Sequence, residues 1–129
     1  MIAVDTNVIV RLLTGDDPKQ SKRALALFEQ ETIFLPKTVM LETDWVLRRL
    51  YGFLAKDVAE ALSSLLALPN THCEDIGALS EALDWARKGM DFADALHLSA
   101  SRRAGKFATF DVRLARNARK HAVMDVLIP

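Results

Sequence analysis

Four acids stand out by where they fall in the chain. Asp5 follows the apolar run Ile2-Ala3-Val4, and Asp111 ends the run from Lys106 to Phe110. Glu42 and Asp94 fall near the starts of helical patterns, one carrying Val39, Met40, Val46, Leu47 and Leu50, the other opened by Asp91. A short apolar run such as Ile2 to Val4 reads as a strand buried on both faces of a parallel sheet. In such sheets ligands bind beyond the carboxyl ends of the strands. With parallel strands, all four acids point into one crevice. Clustered carboxylates raise one another's pKa unless a cation neutralises them. Hard oxygen donors of this kind suit Mg²⁺ or Mn²⁺, which keep several waters and bind through a few carboxylates plus substrate phosphate. No Cys or His cluster has zinc spacing.

Each acid also has an ordinary explanation. Asp5 can cap the helix that follows it. Glu42 can complement a helix dipole. Asp91 and Asp94 have the spacing of a capping box with Asp in place of Glu, and capping is the favoured role for Asp91. Asp111 can be a turn residue. Taken singly, none specifies a function. His97 lies one turn after Asp94 and can approach the site, but helix packing is its first reading. His72 and His121 read as surface residues. Trp45 and Trp85 could stack on bases, yet both sit among apolar residues at helical spacing, which favours core or interface packing.

The elements that must position these residues alternate. After the first strand, Val8, Ile9, Leu12 and Leu13 mark a helix. Asp17 and Pro18 are a cap and first position for a second helix reaching about Gln30. Thr32 to Leu35 is a strand, and Thr38 is placed to cap the next helix, which Tyr51-Gly52 stops. A helix spans about Lys56 to Leu68, a strand Thr71 to Glu74, and a helix Ile76 to Lys88 with Gly89 as its C-cap. The helix opened by Asp91 is expected to run to about Ala104. A strand over Lys106 to Phe110, a helix over Val112 to Arg119 and a strand over Val123 to Ile128 complete the chain. Strands alternating with helices predict an α/β fold, a short central parallel sheet covered by helices on both faces.

At 129 residues the chain is expected to be one domain, 1–129, with a substantial core. Half the residues are hydrophobic and 26% charged, an ordinary composition for a soluble globular protein. No apolar run reaches the length of a membrane span, and no signal peptide precedes the first strand. The single Cys73 cannot form an intramolecular disulfide, so a cytosolic (cytoplasmic) home is expected. Formal net charge is zero. The distribution is uneven: Arg102, Arg103, Lys106, Arg113, Arg116, Arg119 and Lys120 face one acid, Asp111, between residues 102 and 121. A basic patch beside an acidic site is compatible with a phosphate-bearing substrate, and equally with a solvated helix face.

Four blocks in order resemble a known family: VDTNVIVRLL from Val4, LPKTVMLETDWVLRR from Leu35, DFADALHLSAS from Asp91 and ATFDVRLAR from Ala108. They look like the PIN domain, and more narrowly like the VapC-type toxins of type II toxin–antitoxin pairs. By that resemblance Asp5, Glu42, Asp94 and Asp111 match a catalytic, metal-binding quartet, with Asp5 and Asp94 as principal ligands, and Asn7 and Thr109 match supporting polar positions. The resemblance implies Mg²⁺- or Mn²⁺-dependent hydrolysis of RNA phosphodiester bonds, a VapB-like antitoxin partner and a homodimer. His121 departs from the turn glycine that many relatives carry. Two other classes stay open: a metal-dependent phosphohydrolase of small phosphate esters, and a non-catalytic binding module, against which retention of four mutually repelling acids argues.

Overall fold

A computed structural model describes residues 1–121 and 124–129. Among them the order is β1 (Ile2–Ala3), α1 (Thr6–Thr14), α2 (Pro18–Gln30), β2 (Ile33–Leu35), α3 (Lys37–Arg49), α4 (Ala55–Leu66), β3 (Thr71–Cys73), α5 (Ile76–Arg87), α6 (Phe92–Ser99), β4 (Lys106–Ala108), α7 (Val112–Lys120) and β5 (Asp125–Leu127). Among the described residues every strand pair is parallel. The strands form two ladders, β1-β2-β3 and β4-β5, with Ile2 opposite Ile33, Ile33 opposite Thr71 and Lys106 opposite Asp125. The α/β class and parallel pairing are as expected, because each strand is joined to the next by a helical crossover.

The core explains the placement of the strands. Ile33 and Leu35 of β2 are fully buried, together with Ile9, Met40, Leu62, Leu79, Leu83 and Leu98 from five different helices. Burying side chains of this size stabilises by about 1.5–3 kcal/mol each before chain entropy is subtracted. The packing of α5 on α6 is fixed further by Ser99, which is buried and donates from Oγ to the Ala78 carbonyl at 2.9 Å.

Several local expectations are corrected. Ile2 and Ala3 are exposed and only Val4 is buried, because β1 lies at the edge of its ladder rather than inside it. Thr38 does not cap α3. Pro36 stands at that cap without a side-chain bond, and the free Lys37 N–H donates instead to Glu74 Oε1, which arrives from the end of β3 at 3.1 Å. The segment after Asp91 is helical only to Ser99, then turns through a single 3₁₀ turn, Arg102–Ala104, into Gly105 at φ 80°. Val123, the expected start of the last strand, lies outside the described residues; the strand is seen at Asp125–Leu127.

Candidate active site

The helix carrying Asp94 starts where it does because Asp91 Oδ1 accepts the Asp94 N–H at 3.1 Å, satisfying one orphan donor of the first turn. Asp94 is half-buried in that turn. Burial pushes its carboxyl above the usual carboxylate range, and the charges of Asp91 and Asp111 push it the same way; His97 and Arg113 offset part of this. Among the described residues no cation stands within ion-pair distance of Asp94.

Asp91 is itself held from a neighbouring helix. Arg48 of α3 donates to both oxygens of Asp44, its Nη2 lying 2.8 Å from Oδ2, and the same Nη2 lies 3.5 Å from Asp91 Oδ2. One guanidinium therefore ties α3 to the capping residue of α6. Asp44 is only 4% exposed, and burial pushes its carboxyl up while the Arg48 bonds pull it back. Neither Asp44 nor Arg48 was picked out from the sequence. Their i,i+4 spacing was a signal, but it is a common one on helix surfaces, and only tertiary packing buries it.

The other acids cap or flank. Asp111 Oδ1 accepts the Leu114 N–H at 3.0 Å and starts α7, while Thr109 Oγ1 accepts the Asp111 N–H at 2.9 Å and shapes the turn before it. Asp5 Oδ1 accepts the Thr6 N–H at 2.8 Å at the start of α1. The carboxylate oxygens Oδ2 of Asp5 and Asp111 receive no hydrogen bond among the described residues. Capping and ligation are thus compatible for both. Glu42 is exposed on the second turn of α3, and Asn7 is exposed on the first turn of α1.

The structure brings Asp94, Asp91 and Asp111 within electrostatic reach of one another. Among the described residues no three His, Cys, Asp or Glu side chains stand close enough to hold one metal ion between them. The donor chemistry still fits a hydrated divalent ion, since Mg²⁺ uses one or two carboxylates and keeps its waters. Thr6 adds a second point of fit. Its Oγ1 is buried beside Asp5 with no partner among the described residues, and a hydroxyl so placed is a ready partner for an ordered water.

The remaining candidates sort by exposure. His97 is exposed, so it does not serve helix packing; His72 is exposed as expected. Trp45 is 51% exposed and not in the core, whereas Trp85 is buried with Arg102 lying 5.9 Å above its ring. On α7, Leu114, Ala115 and Ala118 are buried and Arg113, Arg116, Arg119 and Lys120 are exposed. The basic run is therefore a solvent-facing cationic surface that starts beside Asp111.

No helix among the described residues is long and apolar enough to cross a membrane. A sequence comparison with curated proteins gives no match. The PIN domain family, by contrast, matches residues 2–120, a stretch that holds all four acids. PIN domains are as a class nucleases that typically use divalent metal ions. With that match covering nearly the whole chain, this protein belongs to the PIN domain family.

Proposed function

We propose that this chain is a Mg²⁺- or Mn²⁺-dependent ribonuclease and the toxin of a VapBC-like type II toxin–antitoxin pair, acting in the cytosol. The observation that carries this reading is Asp94: a half-buried carboxylate facing two further acids, with no paired cation among the described residues. Such a group is stabilised by an added positive charge. Asp5 and Asp94 would be the principal ligands, Glu42 and Asp111 would complete the set, and Asn7 and Thr109 would support it. A divalent ion bound there lowers the pKa of water and neutralises charge building on the phosphate oxygens. The chain's own contribution is placement. Asp91 and Arg48 hold the turn bearing Asp94, Thr109 holds the turn bearing Asp111, and the exposed arginines of α7 suit the phosphates of an RNA backbone.

A toxin also needs protein partners, a VapB-like antitoxin and a second copy of itself. Trp45, Leu50, Phe53 and Leu54, between 46% and 70% exposed around the α3–α4 junction, supply apolar surface for such contacts. The test is induced expression of the wild type and Asp5→Asn in parallel, following growth and total RNA. Growth arrest with discrete RNA fragments from the wild type alone is the expected result. Purified protein that hydrolyses a generic phosphomonoester and leaves RNA intact would instead identify a phosphohydrolase.

A further inference from the structure

An open slot of about 320 Å³ lies between α3, α6 and β4. Leu41, Leu96 and Phe107 form its apolar walls, and Lys37, Thr38 and His97 bring polar groups. Each of these three elements leads to a candidate acid. Leu41 precedes Glu42 on α3, His97 lies one turn beyond Asp94 on α6, and β4 runs on from Phe107 through Thr109 to Asp111. Residues three apart on a helix share a face, so His97 and Asp94 line the same side of α6. None of the four acids lines the slot, but His97, which does, lies within electrostatic reach of Asp94, so the slot neighbours the acidic site.

Its size is at the small end of the ~300–1,000 Å³ typical of ligand pockets, and its make-up, apolar walls with a few polar groups, is that of a small-ligand site. Charge points the same way. Lys37 Nζ has only a long 3.9 Å contact to Asp75 Oδ2, leaving a weakly partnered cation among the lining residues. The larger cleft of about 500 Å³ between α1 and α2 is a poorer candidate for a base, because no aromatic side chain lines it.

The geometry points to this slot as a nucleobase subsite, taking the base of an RNA nucleotide next to the scissile phosphate. The identity of the ligand rests on the ribonuclease reading. Single-stranded RNA is read by splaying a base against an aromatic side chain and hydrogen-bonding its edge. Here Phe107, Leu41 and Leu96 would flank the base, and His97 and Thr38 would meet its edge.

The experiment is a methyl NMR titration of the full chain with AMP, CMP, GMP, UMP and, as a base-free control, ribose 5-phosphate. At least one nucleotide should shift the Leu41 and Leu96 methyl resonances at millimolar concentration, and ribose 5-phosphate should not. Ala100→Phe, which places a ring at an exposed position lining the slot, should weaken that nucleotide about tenfold or more, the scale of a lost base-stacking contact. His97→Ala, at an exposed position, gives a second variant should Ala100→Phe fail to fold. It should reduce discrimination among the four bases. Methyls that ignore every nucleotide, or that answer ribose 5-phosphate equally, would overturn the subsite. The titration requires no cleavage. An inert protein that still binds a base would defeat the ribonuclease reading alone, and an active nuclease with silent methyls would defeat the subsite alone.

Discussion

Asp44 and Asp94 are both acids on adjacent helices whose carboxyls burial pushes upward. They differ in what faces them. Asp44 holds Arg48 through three hydrogen bonds, so its charge is neutralised inside the protein. Asp94 faces Asp91 and Asp111, and among the described residues no cation pairs with it. A structural acid and a candidate functional acid are therefore told apart by their partners, not by burial. Arg48 links the two, because it also reaches the residue that caps the Asp94 helix.

The largest effect is expected where the unpaired site is emptied. Asp94→Asn should lower RNA cleavage about a thousandfold, roughly 4 kcal/mol of the barrier. In metal-free buffer it should melt no lower than the wild type, since it removes repulsion. Full turnover in Asp94→Asn would place the chemistry elsewhere.

Breaking the paired site should do the reverse. Arg48→Met leaves Asp44 buried without its cation and should destabilise by about 3 kcal/mol in urea unfolding. Adding Asp44→Leu should recover much of that, because no charge is then stranded. Equal stabilities for the single and double variants would show that the pair does not set the difference.

A smaller effect is expected at the link. Asp91→Ala removes the α6 cap and should cost about 1 kcal/mol of stability. It should also relieve part of the repulsion on Asp94, so Asp94→Asn should raise the metal-free melting temperature less in the Asp91→Ala background than in the wild type, as thermal melts at neutral pH would show.

Asp16 supplies the mildest test. It is an exposed acid whose carboxyl is lowered from 3.8 by hydrogen bonds from Tyr51 and then Thr14. A lowered folded-state pKa stabilises fully above the unfolded value and is lost as pH falls through the folded one. Tyr51→Phe removes the main cause, so the variant should be less stable than the wild type at neutral pH and lose less as pH falls, the two melting curves converging in acid. An equal loss from neutral to acid pH in both would show that the Tyr51 bond contributes nothing.

Much of the fold was legible because local chemistry marks helix ends. Asp17-Pro18 starts α2 where expected and Gln30 ends it. Asp91 caps α6, and Gly89, at φ 103°, follows the end of α5. The order of the four acidic blocks was legible for the same reason, since each sits at or near a helix start. What misled was burial. The run at Ile2 looked like a central strand and proved to be an edge, His97 at helical spacing looked packed and proved exposed, and Trp45, expected in a core or an interface, lies outside the core. A periodic pattern gives the face of an element and says nothing of whether another element covers that face.

The sequence by itself determined the α/β alternation, the Asp caps and the positions of Asp5, Glu42, Asp94 and Asp111, because these depend on residues within a turn or two of one another. Only the tertiary structure decided that Glu74 caps α3, that Arg48 joins Asp44 to Asp91, and that Leu41, Leu96 and Phe107 enclose a slot. Those contacts join residues far apart in the chain, and no local propensity encodes which distant side chain will arrive.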